Sequence, residues 1–465
     1  MSLTRFTSII LLTMILYSCK KESFITSSQA RLGISVDTLA FDTVFATAGS
    51  VTKSFKIFNL NNQKLLLSKV KLMGGATSSF KVNVDGISTN EASDLVIEGN
   101  DSIYVFVQVN INPSGNPLPF IVRDSILINY NGANRYVQLQ AYGQNAVYLK
   151  NKKIGGNVTW TNALPYVILD ALIVDTTATL TLQPGVRVYS HANAPFLVDG
   201  SLKINGTKNS TVTFAGDRLD PDYKDLPASW PGIILRSASK DNSFKFAVIH
   251  NAYQALVVQG PSINSSPKLV LSQCIIDNAY DAGIMGINTS IQADNSLVSN
   301  CGSNIFLALG GNYNFTHCSV AAYSNFFISH NNPVLQVSNF ASQGNQTIAA
   351  DLGAVFRNCI FWSEGGTVVD EVAVLKQGST IFNVLFDHCL YKAVHDPANV
   401  VLTSVIKNQN PLFDSINNSK QVYDFHFRTH PNSPAINAGV ITAFPRDLDD
   451  KSRANTFPDL GCYEL

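Results

Sequence analysis

Small residues recur at a fixed place in an apolar pattern through the second half of the chain. Residues 247–255 and 274–282 read AVIHNAYQA and CIIDNAYDA, so nearly the same phrase occurs twice, 27 residues apart. With the first residue of each phrase as position zero, the pattern recurs at Ala247, Cys274, Ser296, Cys318, Ser338, Cys359 and Cys389. An apolar residue lies three positions before position zero and another two positions after it, for example Phe244 and Ile249.

These columns alternate as strands do and lack the i, i+3, i+4, i+7 spacing of a helix. Periods of about 20 to 50 residues indicate stacked units, and a unit of about 22 residues made of short strands and corners predicts a parallel β-helix of roughly a dozen coils. Asn251, Asn278 and Asn300 lie four residues after position zero. We expect them at a corner that requires positive φ, where stacked amides can bond to one another.

Residues 33–148 show a different pattern, with short alternating segments between turn residues. Apolar residues occupy every second position from Ile103 to Val109, which is the period of a strand. Asn131-Gly132 lies between two such segments and predicts a hairpin turn with positive φ at both residues. The spacing favours a β-sandwich of about seven strands.

Charge changes this picture only by excluding one class of partner. Lys+Arg and Asp+Glu are both 33, so the formal net charge is zero. Nucleic-acid binding requires a basic surface, and we therefore predict no nucleic-acid partner.

The first 19 residues, MSLTRFTSIILLTMILYSC, contain Arg5, an apolar run and then Ser18-Cys19. The run is shorter than the roughly 20 apolar residues of a membrane-spanning helix and fits the core of a signal peptide. Residues 16–19, LYSC, resemble a bacterial lipobox, which implies that Cys19 is lipidated and anchors the mature chain to a lipid membrane. An ordinary cleaved signal peptide is the alternative.

The next residues, KKES at 20–23, resemble the charged segments that send Bacteroidota lipoproteins to the cell surface. We therefore expect an outer-membrane lipoprotein of the cell envelope, exposed at the surface, with residues 20–32 as a tether.

Two further resemblances concern the domains. The segment FDTVFATAGSVTKSFKIFNLNNQKLLLSKV resembles the opening of the abnormal-spindle/hydin type of immunoglobulin-like domain, which implies a spacer or binding module over 33–148. Residues from about 150 onward, including PGV at 184–186 and WPGI at 230–233, resemble exported right-handed parallel β-helix lipoproteins of the pectate-lyase-like superfamily. The resemblance implies an all-β chain: an immunoglobulin-like β-sandwich followed by a right-handed β-helix over 149–430.

The carboxyl end, SPAINAGVITAFPRDLDDKSRANTFPDLGCYEL, is similar to the terminal motif of such exported β-helices. Asp450 stands where the motif has Gly, and Cys462 where Ala is common. We expect residues 431–465 to cap the last coil, because an open edge strand needs covering. Asp447, Asp449, Asp450 and Arg453 would fix this cap, and calcium binding through the carboxylates is the alternative.

Cysteines and histidines of the repeat have ordinary structural interpretations. Four cysteines occupy position zero, where small buried residues are expected. Cys359 and Cys389 fall on neighbouring predicted coils, so a disulfide between them is the alternative. His317 and His388 occupy equivalent corners three predicted coils apart, too far to share an ion, and we expect surface histidines and no metal site.

The loop 216–230, GDRLDPDYKDLPASW, is the main candidate for chemistry. Enzymes of the pectate-lyase-like superfamily place carboxylates, often binding Ca²⁺, beside a basic residue, and the hydrolases use paired aspartates. The candidates for catalysis are Asp220, Asp222, Lys224 and Asp225, and those for ligand contact are Arg218 and Trp230. We favour the alternative of a solvated, salt-bridged loop pinned by Trp230, because catalytic groups normally come from adjacent coils.

Trp362 follows an inward Phe361, so we expect its ring to face outward and stack on sugar, with contact to a loop as the alternative. The favoured function is a non-enzymatic, lipid-anchored envelope protein without cofactor, whose β-helix binds glycan or another surface component. The alternatives are a polysaccharide lyase or glycosidase acting on an acidic polysaccharide, with Ca²⁺ as the metal it would use, and assembly with a partner protein. An enzyme should bring carboxylates, or a carboxylate and a basic residue, from adjacent coils into one groove.

Overall fold

The structure, a computed structural model, describes residues 23–45, 50, 52–111, 120–344 and 346–465. Cys19 and the rest of the expected signal peptide lie outside these residues. The chain divides into two compact units, Met1–Asn145 and Ala146–Leu465. The described residues contain no helix long and apolar enough to cross a bilayer.

The first unit consists of two five-stranded sheets whose inward residues share one hydrophobic core. The strands are β1 Leu32–Ile34, β2 Thr38–Phe45, β3 Lys53–Asn59, β4 Leu65–Leu72, β5 Phe80–Val84, β6 Ile87–Ser88, β7 Glu91–Ile97, β8 Ser102–Val109, β9 Phe120–Tyr130 and β10 Ala133–Gln144. One sheet has the order β1-β3-β8-β5-β6 and the other the order β2-β10-β9-β4-β7, and a short 3-10 helix spans Gly75–Thr77.

Two local predictions for this unit are confirmed. In β8 the apolar residues at every second position are buried, while Tyr104 and Phe106 between them are exposed. Asn131 and Gly132 join β9 to its antiparallel partner β10 with φ of 47° and 78°.

The second unit is built of short strands separated by corners. They are β11 Val147–Leu149, β12 Lys152–Ile154, β13 Asn157–Trp160, β14 Tyr166–Ile168, β15 Leu172–Val174, β16 Thr179–Leu182, β17 Arg187–Ser190, β18 Phe196–Val198, β19 Ser201–Asn205, β20 Val212–Gly216, β21 Ile233–Leu235, β22 Asn242–Lys245, β23 Ala247–His250, β24 Gln254–Gln259, β25 Leu269–Ser272, β26 Ile275–Asp277, β27 Ala282–Asp294, β28 Leu297–Ser299, β29 Ser303–Thr316, β30 Ser319–Tyr323, β31 Leu335–Ser338, β32 Phe340–Gln343, β33 Gln346–Ala349, β34 Leu352–Arg357, β35 Ile360–Glu364, β36 Val372–Leu375, β37 Phe382–Asp387, β38 Leu390–Tyr391, β39 Val401–Thr403, β40 Ile406–Lys407, β41 Ser415–Asn417 and β42 Val422–Asp424.

These strands stack into two long parallel sheets, one of eleven strands from β11 to β40 and one of seventeen from β12 to β39. The residues two positions after position zero stack in register, with Ile249 opposite Ile276 and Ile276 opposite Val298. Their side chains lie in one continuous core enclosed by both sheets. The stacked parallel coils inferred from the repeat are therefore present.

The corners explain the asparagines of the repeated phrase. Asn251, Asn278 and Asn300 have φ of 61°, 55° and 52°, the left-handed conformation that asparagine tolerates best among residues with a side chain. The Nδ2 of Asn278 donates to the Oδ1 of Asn251 on the preceding coil at 2.7 Å. The positive φ is confirmed at all three residues and the bonded amides at the first pair, whereas the Nδ2 of Asn300 donates to the Oδ1 of Asp277 at 3.3 Å.

One position of the repeat was assigned wrongly. Ser319 of β30 pairs with Ile360 of β35, so one coil runs from Cys318 to Cys359, and Ser338 merely ends β31. In this coil β31 is a regular strand that pairs with β29 and β36, and the extra chain includes the antiparallel hairpin β32–β33. Cys359 consequently has Cys318 and Cys389 on its two neighbouring coils; all three are buried and free, so the alternative of a disulfide is absent.

The carboxyl-terminal segment 409–465, here the strap, lies along the side of the second unit. Its apolar residues pack on the outer face of the eleven-stranded sheet, against Leu297, Ile360 and Leu390. The Nε2 of Gln273 donates to the Asp447 carbonyl at 2.7 Å, which fixes the strap to a coil far from the last one. The apolar partners of this segment lie on the flank of the coils, and its role as a cap over the last coil stays a prediction.

Candidate functional site

Two residues of the candidate loop neutralise each other. Nε and Nη2 of Arg218 donate to the two carboxylate oxygens of Asp220 at 2.8 and 3.0 Å. The Arg218 guanidinium also lies 3.8 Å from the centre of the Tyr223 ring. Arg218 and Asp220 therefore form the salt-bridged loop that was the favoured interpretation, while Asp222, Lys224 and Asp225 are exposed.

Both tryptophans proposed for ligand contact are buried. Trp230 is 1% exposed, and its Nε1 donates to the His250 carbonyl at 2.9 Å, so it pins the loop to the adjacent coil and offers no ring face to a ligand. Trp362 is 6% exposed, and the expected exposed ring is wrong. Its side chain does leave the inner core, but the strap covers it.

A groove runs between the loop, the asparagine corner and the strap, and we call it the strap groove. Its polar part is a cavity of about 470 Å³ lined by Asp222 and Asp225 of the loop, Asn278 of the corner, and Lys420 and Tyr423 of the strap. The loop, the coils and the strap are distant in sequence, and the fold brings them together here. Asp220 and Lys224 are not among the residues that line this cavity.

An apolar part adjoins the polar part. This second cavity, of about 640 Å³, has Val248, Ile275 and Leu297 of three successive coils on its sheet side and Tyr423 and Phe425 on its strap side. Tyr423 lines both cavities, as do His250, Asp277 and Gln421, so these residues stand at the junction. An apolar surface with a few convergent polar groups is the usual character of a ligand site.

His250 and Asp277 form the titratable centre of the groove. They are register partners on adjacent coils, so their side chains leave the same face of the sheet one strand spacing apart. Burial raises the pKa of Asp277, although hydrogen bonds from Ser299 and Asn300 act to lower it. Burial also lowers the pKa of His250, although the negative charge of Asp225 acts to raise it. Burial therefore disfavours the charged form of both groups at the groove.

Two polar atoms at the groove lack partners among the described residues. They are the Oδ1 of Asn278 and the hydroxyl of Tyr423. Asn278 is only 9% exposed, and its Nδ2 donates both to Asn251 and to the Asp225 carbonyl at 3.0 Å. A buried polar atom without a partner is costly, so both side chains are polar groups whose hydrogen bonding is incomplete.

The carboxylates of the terminal motif hold the strap together. The oxygens of Asp447 accept the backbone N–H groups of Lys451 and Glu464 at 2.7 and 3.1 Å. Asp449 pairs with Lys208 and with Nε2 of His426. Arg446 lies 3.6 Å from Asp450, and both are exposed. Within the described parts of the chain, no group of three or more His, Cys, Asp or Glu side chains is arranged to hold a metal ion.

His317 and His388 lie on coils two steps apart and differ in environment. The expected surface position is wrong for His317, which is fully buried under the strap with its Nε2 3.0 Å from Nδ2 of Asn358. Burial lowers the pKa of His317 well below its usual range. His388 is partly exposed, and its Nδ1 lies 2.7 Å from Oδ1 of Asp387.

Sequence reasoning missed the strap side of the site. Residues 423–427, YDFHF, alternate between aromatic and polar side chains, and this period of two is the available signal. His250 and Asp277 were also missed as site residues, although both stand immediately before the asparagines of the repeated phrase.

Comparison with known proteins gives only distant matches. No family model and no curated protein matches the chain. A family 123 glycoside hydrolase from Clostridium perfringens matches at 13% identity and TM-score 0.19, over 26% of this chain and 26% of that one. A human PapD-like domain matches at 12% identity and TM-score 0.17, over 27% of this chain and 92% of that one. The catalytic unit of an alpha-1,3-glucanase from Streptomyces thermodiastaticus matches at 11% identity and TM-score 0.23, over 76% of this chain and 88% of that one.

The chain thus spans about a quarter of the Clostridium enzyme's length. At these low TM-scores we take neither a family nor an activity from the matches.

Proposed function

We propose that this protein is a lipid-anchored component of the bacterial cell envelope that binds a glycan in the strap groove. In this proposal acylated Cys19 holds the chain in the outer membrane, exposed at the surface. Residues 33–148 act as an immunoglobulin-like spacer, and the second unit is a right-handed β-helix that presents the groove.

One observation carries the glycan assignment: the groove joins an apolar surface with an aromatic side chain to a set of convergent hydrogen-bonding groups. Tyr423 stands at the junction, with Val248 and Ile275 on one side and Asp277 and Asn278 on the other. A sugar ring has apolar C–H faces and a polar rim of hydroxyls, so it uses both kinds of surface.

The test of this proposal is direct binding. Tyr423→Ala removes the ring at the junction, and we expect the affinity for the bound glycan to fall about tenfold, or about 1.4 kcal/mol. Tyr136→Ala is the control, because Tyr136 is an exposed tyrosine of the first unit. Calorimetry of both variants against the same glycan panel measures the difference. If the two variants bound the glycan with equal affinity, the assignment of the strap groove as the glycan site would be contradicted.

Anchoring is tested separately. Replacement of Cys19 by Ala removes the thiol that would carry the lipid, so the protein should leave the membrane fraction and lose its labelling by a fatty-acid analogue. Retention of both properties would contradict the lipoprotein assignment.

Glycoside hydrolysis is the second candidate. It is favoured by the pair of His250 and Asp277 from adjacent coils, close to the exposed carboxylate Asp225. A carboxyl group with raised pKa can donate a proton to a glycosidic oxygen, while a second carboxylate activates water. A soluble form starting at Ser23, incubated with neutral and acidic polysaccharides with and without Ca²⁺, should then release shortened fragments. Their loss in Asp277→Asn, with retention in Asp220→Asn, would favour the enzyme over the binder.

A further inference from the structure

We propose that the strap groove takes a glycan bearing free amino groups, such as a hexosamine polymer, and discriminates against uronic-acid polymers. This inference rests on the proposed function and names the class of glycan. It departs from the acidic polysaccharide that the family resemblance implied.

The first argument is charge. The polar cavity is lined by two exposed carboxylates, Asp222 and Asp225, by a third carboxyl group, Asp277, whose pKa burial raises, and by one cation, Lys420. A fourth carboxyl group, Asp424, lines the adjoining apolar cavity. An anionic polymer would meet like charge in a confined space, whereas an ammonium group would find opposite charge.

The second argument is the absence of internal partners at the loop carboxylates. In the described residues neither Asp222 nor Asp225 forms an ion pair through its side chain, although neighbouring Asp220 is paired with Arg218. Asp424 differs, since it pairs with Nδ1 of His426. The two loop carboxylates are therefore available to an incoming cation.

The third argument is the direction of hydrogen bonding. Asn278, a side chain that is 9% exposed, lines the polar cavity, and its buried Oδ1 accepts no hydrogen bond from the described residues. This atom accepts hydrogen bonds and cannot donate them, as is also true of ionised carboxylates. An ammonium group supplies three donors and no acceptor, so it matches these groups, whereas a uronate carboxylate offers only further acceptors.

The experiment compares three tetrasaccharides on the full chain in detergent by calorimetry: a glucosamine tetramer, its N-acetylated form and a galacturonate tetramer. The first two share one backbone, so they isolate the amino charge. We expect the glucosamine tetramer to bind at least tenfold more tightly than its N-acetylated form, with loss of that advantage at high salt. Galacturonate should not bind.

Variants locate the effect. Asp222→Asn together with Asp225→Asn keeps the shape of both exposed side chains, and we expect it to remove the tenfold preference. Asp94→Asn is the matched control, because Asp94 is an exposed carboxylate of the first unit with φ of 55°, a conformation that asparagine also adopts. The preference should be unchanged in this control.

The outcomes separate this inference from the proposed function. Equal binding of the amino and N-acetylated tetramers, weakened by Tyr423→Ala, would overturn the amino-sugar inference and leave the glycan groove standing. If galacturonate bound more tightly than the glucosamine tetramer and Tyr423→Ala weakened that binding, the amino-sugar inference would again be overturned and the glycan groove would stand. Binding that no groove variant changes, or no binding to any tetramer, would overturn both.

Discussion

Arg453 offers the sharpest test of how the strap is held. Its side chain is buried, with Nε and Nη2 donating to Oδ1 of Asn295 at 3.1 and 2.8 Å and Nη1 donating to Glu464 at 3.1 Å. Arg453→Ala leaves Glu464 as a buried carboxylate without its cation. Breaking a buried pair in this way costs about 3 to 5 kcal/mol.

The lower end of this range applies here, because Glu464 keeps two backbone donors. They are the N–H groups of Ala454 and Asp459, at 2.9 and 3.0 Å. A loss of about 3 kcal/mol corresponds to roughly hundredfold faster hydrogen exchange if the strap opens as a unit. Exchange of the strap amides, read by mass spectrometry, measures it peptide by peptide.

Arg446→Ala is the control from the same strap. Arg446 lies 3.6 Å from Asp450 and both side chains are exposed, so the expected loss is below about 1 kcal/mol. The variant Arg453→Ala should also weaken any ligand that contacts Tyr423, since Tyr423 belongs to the strap. Equal exchange rates in the two arginine variants would refute the claim that the buried network fastens the strap.

Three further predictions concern the second unit. A Cβ at Gly232, which has φ of 111°, would lie 1.6 Å from a carbonyl oxygen of the next coil, so Gly232→Ala should cost at least about 2 kcal/mol in urea unfolding. Gly156→Ala, with φ of 66° and open space around it, should cost less, and a reversed order would contradict the close packing. Burial lowers the pKa of Lys268 from its ordinary value of 10.5 to about 8. Between these values the unfolded chain binds more protons than the folded chain, so the free energy of unfolding should rise with pH across that range, relative to Lys268→Met. A flat difference between these two proteins would contradict that shift. The six cysteines of the described residues are buried and free, and burial raises the pKa of Cys274 to about 12, so thiol reagents should label all six only after denaturation. Rapid labelling of the native protein would contradict their burial.

The elements that were predictable are those whose signal is local and repeated. The asparagine corner is predictable from Asn251 and Asn278, because asparagine at a repeated position indicates both a left-handed conformation and the stacking of amides. Ser338 shows that a matching residue pattern does not by itself determine strand register. Leu335, Ser338 and Phe340 fit the columns of the repeat, but register is set by strand pairing, and Leu335 pairs with Ile305 on the other sheet.

The candidate site was less predictable because its two sides are far apart in the sequence. The side chains of Trp362 and His317 each point away from the inner core, as the strand pattern predicts. Their burial depends on the strap, which folds back over them from later in the chain. A pattern within one coil contains no information about such a covering segment.

The strap links the terminal motif to the groove, and this connection changes what the motif means. A cap would contribute only stability, whereas the strap places Tyr423 opposite Asp277 and so forms one side of the candidate site. The network around Arg453 holds the strap to the coils, while Tyr423 is free of that network. Lys420→Ala removes the one cation that lines the polar cavity from an exposed position of the strap, so it should change ligand preference and leave unfolding nearly unchanged. If unfolding changed and ligand preference did not, the strap would be a stabilising element alone.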